Sequence, residues 1–284
     1  MMALLDGKSL AAELEASLKN EVERLSIRPG LAVIMAGDDA ASKIYVGRKE
    51  QACQRVGFYS EMVYLPADIS QEALLEQVQV LNQRSDIHGI LVQLPLPAQI
   101  DVTQVLEAVA PEKDVDGFHP INAGHLFNGT PHLVPCTALG VMHLLKSQQI
   151  PMLGKQALVI GRSNIVGKPM ALLLLQEHAT VTIAHSRTPN LAELCLQADI
   201  IVAAVGKAKL VTAEMVKPGA VVIDVGMNRS EGKLCGDVDF ESVAPKASWI
   251  TPVPGGVGPM TISCLLLNTL QAACQSLALS GTRG

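Results

Sequence analysis

The apolar positions of this chain change their period along its length. From Leu4 to Leu25 they recur at helical intervals (Leu10, Leu14, Leu18, Val22, Leu25) with charges between, which predicts an amphipathic helix closed by Pro29-Gly30. Leu31 to Met35 is an unbroken apolar run and predicts a short buried strand. Gly37-Asp38-Asp39 supplies a turn and an N-cap for a helix from about Ser42 to Val56, with Gly57 as its stop. Glu61 to Leu65 predicts a second strand, about Ser70 to Asn82 a helix, and Gly89 to Gln93 a third strand that Pro95 and Pro97 cut off. Strands and helices in alternation predict a parallel α/β layer, whose ligands gather at the carboxyl ends of the strands.

Pro135-Cys136-Thr137 reads as a break and an N-cap, and Ala138 to Gln149 as a helix leading into a second domain. There a strand (Ala157 to Ile160), a glycine turn and a helix (Met170 to Leu175) are followed by a strand ending at Ala184. Asp199 to Val205 and Ala220 to Val225 are two further strands, tipped by Gly206 and Gly226, and Trp249 to Thr251 is one more. Repeated strands with glycine at the tip are the pattern of a doubly wound nucleotide fold. Pro252 to Thr261 is too rich in Pro and Gly to predict regular structure, and Ile262 to Leu279 predicts a closing helix.

Composition narrows the class. The chain has 284 residues, enough for two domains, and is 49% hydrophobic and only 17% charged, which suits buried parallel strands. A net charge of −5 offers no electrostatic footprint for nucleic acid. Asp6 and Lys8 interrupt the start where a secretory signal needs an apolar core, and no apolar run approaches the ~20 residues of a membrane span, so a cytoplasmic protein without a membrane partner is expected. The six cysteines show no C-x-x-C and are expected to be reduced, mainly in the core. The histidines pair with no Cys or Glu at ligand spacing, so no metal is expected.

The candidate chemistry lies at five places. Gly161-Arg162-Ser163-Asn164-Ile165-Val166-Gly167-Lys168-Pro169, between strand and helix, is either an ordinary turn or a dinucleotide pyrophosphate seat. About 20 residues on, where an NAD site places a carboxylate, stand His185-Ser186-Arg187-Thr188; a hydroxyl and a guanidinium suit a 2′-phosphate, and the inferred cofactor is NADP. Tyr45, Lys49, Cys53 and Val56 share one helix face, so Lys49 either snorkels to water or serves as a desolvated base. Gln93 closes a buried strand, and Asp116 precedes Gly117 in a polar turn. Tyr45-x-x-x-Lys49 also copies the spacing of short-chain dehydrogenases, but there the pair follows the glycine turn and here it precedes it.

With these pieces in order the chain closely resembles the bifunctional methylenetetrahydrofolate dehydrogenase/methenyltetrahydrofolate cyclohydrolase family. The resemblance rests on Ser42-x-x-Tyr45-Val46-x-x-Lys49, Val92-Gln93-Leu94-Pro95-Leu96-Pro97, Pro111-Glu112-Lys113-Asp114-Val115-Asp116-Gly117, the glycine stretch from Gly161 to Pro169, and Pro254-Gly255-Gly256-Val257-Gly258-Pro259-Met260-Thr261. It implies an α/β protein of two domains: an N-terminal folate domain over 1–138, a Rossmann-type NADP domain over 139–261, and a C-terminal helix, 262–284, packed back on the first. It also implies a homodimer. Lys49 would be the catalytic lysine, Gln93 would hold and tune it, Tyr45 would stack on the folate, and Asp116 would bind the pterin, with Val92, Leu94 and the loop of Pro254, Gly255, Gly256, Val257 and Gly258 completing the substrate site. Gly161, Arg162, Ser163, Ile165 and Val166 would meet NADP, together with Ser186, Arg187, Met227 and Thr261. Two departures from the family pattern are Ala138, where proline is usual, and Met227, where a branched aliphatic residue is usual.

Overall fold

The computed structural model describes residues 2–230 and 232–281. Met1, Glu231 and 282–284, the last within the expected closing segment, lie outside the described residues. In the first half the elements run β1 (Ala3–Leu4), α1 (Gly7–Val22), β2 (Gly30–Ala36), α2 (Ala40–Val56), β3 (Tyr59–Leu65), α3 (Gln71–Gln83), β4 (Gly89–Val92), α4 (Val102–Ala108), α5 (Pro120–Phe127) and α6 (Cys136–Ser147). They continue with β5 (Gln156–Ile160), α7 (Gly167–Gln176), β6 (Thr180–Ala184), α8 (Leu191–Gln197), β7 (Ile200–Ala203) and β8 (Val221–Asp224). The hairpin β9 (Asn228–Ser230) and β10 (Lys233–Cys235), α9 (Phe240–Val243), β11 (Trp249–Ile250) and α10 (Val257–Gly281) close the chain.

Two compact units result, Ala12–Cys136 with Ile262–Gly284, and Thr137–Thr261 with Met1–Ala11. In the first, β3, β2 and β4 form a parallel sheet in that order, with β2 buried along its whole length. Asp39 and Ser70 cap α2 and α3 by accepting from Ser42 N and Ala73 N, and α3 turns Leu74, Val78 and Leu81 onto the core with Ile34 and Val92. The polar side chains of α10 also find partners in this unit. Asn268 Nδ2 donates to the Val115 and Val134 carbonyls, both at 2.8 Å, and Ser263 Oγ donates to Glu15.

The second unit is a six-stranded parallel sheet of order β1-β11-β8-β7-β5-β6. Counted from β5, the first strand of its βα repeats, the order across β6-β5-β7-β8-β11 is 2-1-3-4-5, a doubly wound sheet with its topological switch point between β5 and β7. Its core joins Leu158, Ile160, Ile201, Val222 and Ile250 to helix residues such as Cys195 and Val243.

Several expectations need correction. The first eleven residues, expected with the front domain, group with the second unit, because Ala3–Leu4 pairs in parallel with β11 instead of starting the helix. Asp6 then starts α1 at Gly7 by accepting from Lys8 N and Ser9 N. The Pro/Gly segment is irregular only as far as Gly256, since α10 begins at Val257 and carries Pro259 in its first turn, where the missing N–H costs nothing. Over Val257–Ala278 that helix is long and apolar enough to cross a membrane, with mean hydropathy 1.3, although the sequence was expected to hold no such run. Most of it is buried within the protein, as is usual for a core helix. The helices α4 and α5 and the β9–β10 hairpin were not foreseen, being too short to show a period. All six cysteines are free; Cys53, Cys136, Cys195 and Cys264 are buried, Cys235 is half-buried and Cys274 is exposed.

Candidate active site

In the first unit, α2 carries Tyr45 and Lys49 one turn apart, and the end of β4 brings Gln93 to them. Lys49 Nζ donates to Gln93 Oε1 at 2.9 Å, and Gln93 Nε2 donates to the Leu94 carbonyl at 2.7 Å. The backbone N–H of Gln93 donates to the Ile34 carbonyl at 2.8 Å, so sheet pairing continues one residue past Val92 and fixes where the amide starts. The Leu94-Pro95 bond that follows is cis. Val92 is buried and Leu94 half-buried on either side of Gln93. Tyr45 is half-buried, with the Arg48 guanidinium 5.9 Å from its ring centre. Burial pushes the Tyr45 phenol above its ordinary pKa.

Asp116 reaches the same lysine from the turn after the Ile90–Asp114 bridge. Gly117 has φ +71 and lies against the backbone of Val134 and Pro135, with no room for a Cβ, which locks the turn. Burial pushes the Asp116 carboxyl up to about 6; the charge of Lys49 pulls it down, while Asp114 raises it. Lys49 itself is shifted below the usual ammonium pKa, chiefly by burial, with the charge of Asp116 opposing. A lysine whose ammonium form burial disfavours, a fixed amide acceptor and a carboxyl pushed up to about 6 form an acid–base cluster.

Sequence reasoning missed the supports of this cluster. Asp114 Oδ2 accepts from His119 N and Asn122 Nδ2, Cys136 Sγ donates to the Val115 carbonyl at 3.2 Å, and Asn268 joins Val115 to Val134. A carboxylate at Asp114, two residues before Asp116, was the one visible signal; Cys136 and Asn268 are distant in sequence.

In the second unit, Gly161 follows β5 with φ +129, and a Cβ there would collide with the Ala204 carbonyl. A Cβ on Gly167 would strike Gly161, so α7 starts directly on the turn. Ser163 Oγ accepts from Val166 N and Gly167 N at 3.2 and 3.3 Å, so the helix-start amides expected to face a phosphate are already capped by this serine. Arg162, Ser163 and Ile165 are exposed and Val166 is half-buried. Because β5 and β6 pair in register, Ile160 opposite Ala184, the turn after β6 lies beside Gly161. There Ser186 and Arg187 are exposed, and His185 Nδ1 accepts from Arg187 N at 3.2 Å. An open glycine turn beside a hydroxyl and a guanidinium, with no carboxylate at the tip of β6, fits a dinucleotide carrying a 2′-phosphate.

The remaining predicted residues are in this unit too. The Lys8 N–H donates to the Gly255 carbonyl, Gly256 is packed on Thr251 and Pro252, and Pro254 and Gly258 are more open. Val257 is buried, Met227 is exposed, and Thr261 shares its hydroxyl with Thr137 and the Val257 carbonyl. Ala138, the other departure, is buried in the first turn of α6.

Comparison with known proteins matches two successive domains along the chain, meeting between residues 116 and 135. Residues 5–116 match the tetrahydrofolate dehydrogenase/cyclohydrolase catalytic-domain family, and residues 135–277 match the NAD(P)-binding domain of the same enzymes. The bifunctional protein FolD of Streptococcus thermophilus is 55% identical over 282 residues, covering 98% of this chain and 99% of that protein. The crystal structure of the bifunctional FolD methylenetetrahydrofolate dehydrogenase/cyclohydrolase of Campylobacter jejuni superposes with a TM-score of 0.96 at 50% identity, covering 97% and 99% of the two chains. The Trypanosoma brucei dehydrogenase-cyclohydrolase, solved with NADP cofactor and an inhibitor, gives a TM-score of 0.93 at 42% identity, with coverage of 97% and 98%.

Proposed function

Because the chain belongs to the tetrahydrofolate dehydrogenase/cyclohydrolase family, with both domains matched, we infer that it oxidises 5,10-methylenetetrahydrofolate with NADP and hydrolyses the methenyl product to 10-formyltetrahydrofolate. The observation that carries this reading is the Lys49–Gln93 hydrogen bond with Asp116 beside it.

The two steps ask different things of the protein. In the first, a hydride leaves the N–CH2–N bridge and the cation left behind is shared by two nitrogens, so no proton has to be abstracted. The glycine turn from Gly161 to Val166, with Ser186 and Arg187, would hold NADP, which when bound would supply the hydride acceptor. The second step adds water to the methenyl carbon; the water gives up both protons as its oxygen becomes the formyl carbonyl, one going to the ring nitrogen as its C–N bond opens and one to solvent. Neutral Lys49 has two protons, one of them engaged with Gln93, and a lone pair that can take the proton from water and pass it to the departing nitrogen. A cationic substrate nearby would further disfavour the ammonium form. Tyr45 is assigned to the folate rings and Asp116 to the pterin, whose N–H groups a carboxylate can accept.

Folate handling belongs to Ala12–Cys136 with the closing helix, and dinucleotide binding to Thr137–Thr261. The reading extends to a homodimer in the cytoplasm, where free cysteines persist, and to formyl supply for purine biosynthesis. The test is to incubate the purified protein with methylenetetrahydrofolate and NADP while following methenyl and formyl products separately. Formation of both is expected, and absence of both would refute it.

A further inference from the structure

We propose that Asp237 is a positioning residue for NADP, tying the turn after β7 to the turn after β8 and so setting one wall of the crevice at the switch point of the sheet. The proposal rests on the NADP reading above. Doubly wound sheets bind their ligand outside the carboxyl ends of the strands where the order reverses, here β5 and β7. The glycine turn after β5 is one wall of that crevice; Val205-Gly206-Lys207, after β7, is the other.

That second turn is held by one side chain. Asp237 is wholly buried, and its Oδ2 accepts from Val205 N at 2.6 Å and Gly206 N at 3.0 Å. Its Oδ1 accepts from Lys207 N at 2.8 Å and from Asn228 Nδ2, past the end of β8, at 2.9 Å. Three successive amides are thereby spent on one carboxylate, which fixes the backbone of the turn. The carboxylate is itself placed by another: Asp224, at the end of β8, accepts from Asp237 N, Val238 N and Gly226 N, while its own N–H donates to Thr251 Oγ1 at 2.7 Å. Gly226 and Gly236 leave no room for a Cβ against these carboxyl groups. A buried charge is costly unless fully hydrogen-bonded, and a neutral side chain would cap a single turn. What four donors on one carboxylate achieve, and a hydroxyl cannot, is a fixed distance between two loops.

The test uses the full chain with Asp237→Asn and, as a milder change, Asn228→Ala, which removes one of the four bonds. Three quantities are read: hydrogen exchange at the Val205 to Lys207 amides without cofactor, NADP affinity by calorimetry without folate, and hydrolysis of methenyltetrahydrofolate without NADP. For Asp237→Asn, faster exchange confined to those amides and an NADP Kd weakened about tenfold or more are expected, the weight of one charge-assisted hydrogen bond, with hydrolysis unchanged. Asn228→Ala should fall between it and the unaltered protein, and decides the matter if Asp237→Asn does not fold. Unchanged NADP affinity, or parallel loss of affinity and hydrolysis, overturns the positioning role. Failure of the unaltered protein to turn over folate would instead overturn the functional reading.

Discussion

Lys49 and Gln93 form a pair whose polarity is fixed: Lys49 Nζ donates to Oε1 at 2.9 Å, and the amide cannot reverse because its Nε2 is committed to the Leu94 carbonyl at 2.7 Å. The lysine is therefore always the donor in this bond, and when neutral it keeps its lone pair for another proton. Burial lowers its pKa in the direction that base chemistry requires.

Replacing Lys49 by Gln should damage the two reactions unequally. Only hydrolysis needs a proton carried, so cyclohydrolase turnover should fall by a factor on the order of 100 or more, the usual weight of a general acid–base, and the dehydrogenase far less. Assaying each step from its own substrate checks this, and equal losses would assign the lysine to substrate positioning.

Gln93→Glu would place a carboxylate against Nζ and favour the ammonium form. The alkaline shift this gives Lys49 should move the rising limb of the cyclohydrolase pH profile to higher pH, while the dehydrogenase profile stays where it is. A pH series on both activities is the measurement.

Asp116 makes stability depend on pH. Its carboxyl is raised from the ordinary 3.8 to about 6 by burial, so the native state binds this proton more tightly than the unfolded chain does. The sign follows: its contribution favours folding at low pH and is lost as pH rises from about 4 through 6, on the order of 2 kcal/mol. Asp116→Asn should flatten that slope and melt higher than the unaltered protein at pH 7.5, with the gap closing near pH 4. Calorimetry across that range decides it.

Arg187 and Ser186 stand exposed in the turn after β6, beside the glycine turn. Arg187→Ser should cost about 1.5 to 3 kcal/mol toward NADP, roughly 10- to 100-fold in kcat/KM, and leave NAD nearly unaffected. The ratio of the two kcat/KM values is the readout, and an unaltered ratio would remove Arg187 from the site.

Much of the architecture is legible in consecutive residues. The apolar runs at Leu31 to Met35 and Ala157 to Ile160, the caps at Asp39 and Ser70, and the glycine turn at Gly161 are local properties, because strand period, cap geometry and positive φ depend on near neighbours. Tyr45 and Lys49 share a face for the same reason. Their spacing left open whether Lys49 snorkels or works as a base.

Other features belong to no local pattern. Ala3–Leu4 is a strand only because β11 lies beside it, and the long apolar helix is a core element because its polar side chains meet partners from remote segments. Asn268 reaches Val115 across 153 residues, and Asp237 holds Val205 across 32. Such bonds form where topology brings distant backbone together, and a single strand of text carries no record of that distance. The types of the longer elements were therefore written in the chain itself. Which amine meets which amide, and which carboxyl has its pKa raised by burial, came from folding, because hydrogen bonding and desolvation are set by what lies near in space.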